Sequence, residues 1–155
     1  MTTPIPASPP VASVAPYAVM AAFRHALRRF LHFSERAAMA AGLTPQQHQA
    51  LLVIAGHTGP TPPSVGVLAR QLMLAPHSAA ELAARMVEAG LLEKHPDPAD
   101  RRRQHLSLTA VAWETLARLT DAHIREAQGL APLADQVTQL AASLIPAPPP
   151  QGPNA

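Results

Sequence analysis

The stretch AGLLEKHPDPADRRRQHLSLT, residues 89–109, decides the reading of this chain. Gly90 closes a helix, because glycine takes the left-handed conformation that ends one. Leu91–His95 and Gln104–Leu108 are short strand-like runs. The polar segment Pro96-Asp97-Pro98-Ala99-Asp100-Arg101-Arg102-Arg103 between them reads as a turn. Thr109 then caps the next helix. The stretch predicts a helix end, a small hairpin and a helix start.

Working back from Gly90, residues 77–89 form a helix with Ala79, Leu82, Ala83 and Met86 inward and Ser78, Glu81, Arg85 and Glu88 outward. Ala75-Pro76-His77-Ser78 separates it from a short helix over 65–72, capped by Ser64, with Val67, Leu68 and Leu72 inward. Gly56 to Pro63 is a loop. Thr44-Pro45-Gln46-Gln47 is a capping box that opens a helix reaching about Ala55, with Leu51, Leu52 and Ile54 as core candidates. Phe23, Leu27, Phe30, Leu31 and Ser34 stripe one side of a helix over 17–41, which Gly42 ends.

Forward from Thr109, a helix runs to about Gln128 with Val111, Leu116, Leu119 and Ile124 available for burial. Gly129 and Pro132 break it, and a last helix covers about 133–145. Ten of the eighteen prolines lie in 1–16 and 146–155. These two segments read as disordered Pro-rich tails around one domain, residues 17–145. Long apolar-striped helices at both ends of so small a domain pair most simply with a second copy, so a homodimer is expected.

Composition excludes several classes. With no cysteine among 155 residues, disulfide scaffolds, thiol chemistry and cysteine-ligated zinc are ruled out. No apolar run reaches the roughly 18 residues of a membrane span, and the first residues lack a basic segment followed by an apolar one, so a secretory signal is not expected; a soluble cytoplasmic protein is expected. Aromatics are 3% and alanines number 32, so the core is built from Leu, Val, Met and Ala. Gly-rich phosphate loops, a Gly-x-Ser-x-Gly elbow and an acidic cluster for magnesium are all missing, so neither an enzyme nor a cofactor is expected. The eight histidines include no His-Glu-x-x-His pair, and no metal site is assigned.

The order helix, helix, short turn, helix, hairpin, helix is a helix-turn-helix with a wing, and here the chain resembles the MarR family of bacterial transcriptional regulators. The matching pieces are Leu43-Thr44-Pro45-Gln46, Val67-Leu68-Ala69-Arg70-Gln71-Leu72, Ala89-Gly90-Leu91-Leu92, Asp97 to Arg103, and Leu106-Ser107-Leu108-Thr109. The resemblance implies a mainly α fold, a winged helix-turn-helix with N- and C-terminal dimerisation helices. It implies a transcriptional repressor, released by a small-molecule effector, that binds a pseudo-palindromic operator in double-stranded DNA as a dimer. The alternative is a dimeric winged-helix protein-interaction scaffold with weak or no DNA binding.

A helix that begins with small polar residues enters a major groove with its first turns against base edges. His77, Ser78, Glu81 and Arg85 occupy those positions. The resemblance assigns Arg102 to minor-groove insertion with Asp100 holding its side chain; Arg101 and Arg103 flank it, and a guanidinium suits that groove's negative potential. Residues 64–109 carry six basic groups and five acidic ones, so affinity must come from clustering and dimerisation. Ala80 and Glu81 stand where members often carry a hydroxyl and a basic residue, which implies altered operator preference or weaker affinity. Members also bind small aromatic or phenolic anions, and His25, Arg29, His48 and Trp113 are the candidates for such an effector pocket.

Overall fold

The structure, a computed structural model, describes residues 15–97 and 104–144. It forms two compact units: His32–Ile124, and the described residues up to Leu31 together with those from Arg125. The elements are α1 (Ala15–Ala40), α2 (Pro45–Ala55), α3 (Val65–Gln71), α4 (Pro76–Glu88), β1 (Leu92–Pro96), β2 (Gln104–Leu108), α5 (Ala110–Ala127), a 3-10 turn (Gln128–Leu130) and α6 (Ala131–Leu144). The protein is thus mainly helical with one antiparallel pair of strands, and its central part is a winged helix. Among the described residues, no helix is long and apolar enough to cross a membrane.

Local chemistry sets the ends of these elements in the His32–Ile124 unit. Thr44 and Gln47 make the reciprocal capping box: the Gln47 amide donates to Thr44 Oγ1 at 3.2 Å and the Thr44 amide donates to Gln47 Oε1 at 2.8 Å. Gly42 and Gly90 take φ of 79° and 69° and close α1 and α4. After each glycine the chain turns back, with Leu43 donating to the Ala38 carbonyl at 3.0 Å and Leu91 to the Met86 carbonyl at 2.9 Å. Leu43 and Leu91 thereby enter the core. That core joins Leu51, Leu68, Met86, Leu92 and Leu106, with the fully buried Ala38, Ala50, Ala79, Ala83 and Ala112 letting backbones approach closely.

The second unit is built differently. Between Ala15 and Leu31, and between Arg125 and Ser143, no residue is buried. Leu133, Val137 and Leu140 are half-buried at helical spacing along α6.

Several expectations need correction. α1 begins at Ala15 with Pro16 in its first turn, not at 17; residues 1–14 and 145–155, which hold the rest of both tails, lie outside the described residues. α5 ends at Ala127 and Gly129 lies in the 3-10 turn, as expected, while Pro132 falls inside the first turn of α6, which begins at Ala131 and not at 133, since first-turn amides need no intrahelical acceptor. Leu52, a core candidate, and Val111 and Ile124, available for burial, are instead 44%, 63% and 56% exposed, because each points off the buried stripe of its helix. Ser64 has the extended backbone of a cap, yet its side chain makes no capping bond.

Candidate nucleic-acid interface

α3 and α4 pack against each other and form the helix-turn-helix. α4 buries Ala79, Leu82, Ala83 and Met86, the face assigned from its periodicity. The opposite face carries His77, Glu81 and Arg85, all exposed, and Ser78, which is half-buried. Arg85 Nη1 lies 3.9 Å from Glu81 Oε2, one turn apart on the helix. The pair offsets the carboxylate on this face locally, though exposed pairs of this kind are weak. The turn between the helices is made by Met73 at φ 53°, a non-glycine in the left-handed region. Its amide donates to the Arg70 carbonyl at 3.3 Å and the Leu74 amide to the Ala69 carbonyl at 2.9 Å.

The wing pairs Leu92 with Leu108 and Pro96 with Gln104. Leu92, Leu106 and Leu108 anchor it in the core. On its other edge β2 meets the α2–α3 loop, where Leu106 donates to the Pro63 carbonyl at 2.8 Å and Ser64 bridges to His105. Thr109 ties the base: its hydroxyl donates to the Gly90 carbonyl at 2.7 Å and accepts from the Ala112 amide at 3.2 Å, while its own amide donates to the Leu91 carbonyl at 3.2 Å.

At the wing's mouth His105 Nε2 lies 3.1 Å from Asp97 Oδ2, with both side chains about six-sevenths buried. The sequence reading missed this pair. Once the hairpin register is drawn, the two residues fall on a diagonal of one face, and such neighbours interact. Asp100, Arg101, Arg102 and Arg103 lie outside the described residues.

The four effector candidates are placed differently from one another. Trp113 is half exposed and lines a cleft of about 660 Å³ between α2 and α5 with Leu52, Ala55, Leu116, Arg118 and Asp121. His48 does not line it. It is 2% exposed, its ring centroid lies 4.7 Å from that of His123, and its Nε2 has no hydrogen-bond partner among the described residues. Burial, and secondarily the charge of His123, lower its pKa from the usual 6.5, so His48 is neutral in the fold. His123 Nδ1 donates to the Leu119 carbonyl at 2.6 Å and its Nε2 meets Ser34 Oγ at 2.8 Å. His25 and Arg29 belong to the other unit, where Arg29 borders a small cleft with Phe30, Glu126 and Leu130. Among the described residues, no three His, Cys, Asp or Glu side chains converge as a metal site.

Residues 41–103 match the MarR family model. The chain's central segment is similar to the MarR family. This MarR segment runs from the end of α1 through the helix-turn-helix into the wing. Among solved structures, the MarR family transcriptional regulator AbsC from Streptomyces coelicolor is 19% identical, with a TM-score of 0.65 over 91% of this chain and 95% of that chain. MepR, a transcription regulator of the Staphylococcus aureus multidrug efflux pump MepA, is 16% identical with a TM-score of 0.67, over 79% of this chain and 96% of that chain. The S. aureus MepR–DNA complex gives 17% identity and a TM-score of 0.64, over 81% and 92%. At such identities the likeness is one of fold. None of the curated proteins matches the chain.

Proposed function

We propose that the chain is a transcription regulator that binds double-stranded DNA as a homodimer, each protomer reading one half of a pseudo-palindromic operator. In this reading it acts in the cytoplasm as a repressor, and a small aromatic or phenolic effector releases it. The role is one of binding, not catalysis.

The observation that carries the reading is a helix-turn-helix joined directly to a wing within the MarR segment, with α4 presenting His77, Glu81 and Arg85 to solvent. A helix of this kind fits a major groove. A protein of like fold, MepR, has been solved with DNA. Arg102, its side chain held by Asp100, supplies the minor-groove contact that the family resemblance assigns to it.

Two further features support the finer points. Only Ala38 is buried in the 26 residues of α1, which leaves Tyr17, Met20, Leu27 and Leu31 exposed. A second copy would cover such a stripe. The Trp113 cleft offers an aromatic wall, aliphatic neighbours and the Arg118 cation, a lining suited to a small aromatic anion.

The test is fluorescence anisotropy on the DNA upstream of the chain's own gene, at two salt concentrations, with light scattering alongside. The reading expects saturable binding that weakens steeply with salt, and twice the mass of the 16.3 kDa chain. A folded dimer that binds no DNA at either salt would leave the scaffold alternative standing. A monomeric mass at micromolar concentration would remove the dimer.

A further inference from the structure

The two strands of the wing are held unequally. β2 buries Leu106 and Leu108, and its outer edge is bonded to the α2–α3 loop, where Leu106 donates to the Pro63 carbonyl at 2.8 Å and Ser64 bridges to His105. β1 buries Leu92 alone, at its base, and Glu93, Lys94, His95 and Pro96 are all exposed. A two-stranded hairpin is marginal by itself in water. The far end of β1 therefore relies on its ladder with β2 and on the side-chain bond just beyond it. There His105 Nε2 lies 3.1 Å from Asp97 Oδ2, with both side chains about six-sevenths buried. A carboxylate only accepts, so Nε2 carries a proton and donates, whether the ring is neutral or charged. His105 thus links the loop that leads into α3, through its backbone, to Asp97, through its ring. Asp97 is the last described residue before the segment 98–103, and Gln104 is the first after it. Arg102 belongs to that segment. By its charge alone a carboxylate this close in sequence to the wing arginines opposes phosphate.

We propose that His105 is a positioning residue for DNA binding: by holding Asp97 it fixes both ends of the segment 98–103 to the helix-turn-helix, so that Arg102 meets the duplex from a rigid base. The inference rests on the DNA-binding reading and adds to it the residue that sets the wing in place. A contact group held before binding loses less conformational freedom on binding.

The experiment measures binding of the upstream DNA by fluorescence anisotropy and amide exchange in the free protein. Asp97→Ala removes the acceptor together with one negative charge. The lost charge alone would tighten binding, whereas the lost bond should weaken it, by about tenfold. His105→Phe keeps a ring in the buried site but has no donor, and should weaken binding by the same factor. The double variant should be no weaker than either single one, because both break one bond. Asp97→Asn keeps an acceptor and His105→Gln a donor, so each should bind at least nearly as well as the wild type. Without DNA, amides of Lys94 and His95 should exchange faster in Asp97→Ala and His105→Phe, while α4 keeps its protection.

An Asp97→Ala variant that binds as tightly as the wild type, or tighter, would overturn the positioning role, since charge would then be all that the residue contributes. So would a loss in Asp97→Ala that His105→Phe does not share, which would put the effect of Asp97 on another partner. So would a loss that Asp97→Asn and His105→Gln fail to restore, or unchanged exchange at Lys94 and His95. If His105→Phe does not fold, Asp97→Ala against Asp97→Asn decides. A wild-type protein that binds no DNA refutes the DNA-binding reading and the role with it, a result told apart from the others because no variant is needed to see it.

Discussion

Met73→Gly should make this protein more stable. Met73 makes the same chain reversal as Gly42 and Gly90, at φ 53° against their 79° and 69°, but with a side chain present. Left-handed backbone costs an L residue about 1–2 kcal/mol. The greater freedom of glycine in the unfolded chain takes back about 0.5–1 kcal/mol. Met73 is 91% exposed, so deleting its side chain forfeits little buried area. The balance is a gain of about 0.5–1 kcal/mol, or roughly 1–4 °C in Tm for a chain of this size. Urea unfolding followed by far-ultraviolet circular dichroism, at one fixed protein concentration, should show a higher midpoint at an unchanged slope. Met73→Ala is the control: it keeps a Cβ in the left-handed region and should stay near the wild type. A glycine variant that is no more stable, or an alanine variant that gains as much, would refute the reasoning, because the backbone would then not be the source of the strain.

Other consequences can be checked in the same protein. His48 has a lowered pKa, so the unfolded chain takes up a proton as pH falls through 6.5 before the fold does. The stability contributed by neutral His48 is present above that pH and is lost as pH falls through the lowered value. His48→Leu should therefore gain on the wild type as pH drops from about 7.5 to about 5.5, and an equal gap at both would count against the burial argument. Thr109→Ala removes a cap and the tie to Gly90 and should cost about 1–2 kcal/mol by chemical denaturation, with Thr109→Ser recovering most of it; a neutral Thr109→Ala would show that the tie adds nothing. Arg102→Ala should weaken operator binding by roughly 1–3 kcal/mol, with Asp100→Ala losing less and the pair non-additive in a double-mutant cycle. Unchanged operator affinity in Arg102→Ala would take the wing out of the mechanism.

The signals legible in the sequence were those written by residues with a single structural use. Gly42 and Gly90 marked helix ends because left-handed backbone suits glycine, and Thr44 with Gln47 marked a helix start because only that spacing closes both bonds. The buried face of α4 followed from its period. What escaped depended on partners distant in sequence. Met73 carries no mark of its conformation, which goes with the turn between two packed helices, α3 and α4. Ser64 has the residue type of a cap, but its backbone is engaged by His105 across the loop and its side chain makes no capping bond. His48 was assigned to a ligand pocket as a polar side chain on a helix, and nothing near it in sequence indicated that His123 would lie over its ring. At the interface, the α4 positions were readable because they are the complement of a buried stripe. The Asp97–His105 pair needed the hairpin register first.

The base of the wing has a consequence for how this protein could change over evolutionary time. The two strands of the wing are pinned at their base by Thr109, through bonds to Gly90 and Leu91, and locked into the core by Leu92 and Leu108. The entropy of closing a loop grows only slowly with its length, by about 0.6 kcal/mol per doubling. Lengthening the segment that joins the two strands therefore costs the fold little. Stability of the body therefore places little restraint on the length of that segment, and in the proposed function what restrains its sequence is the DNA contact of Arg102.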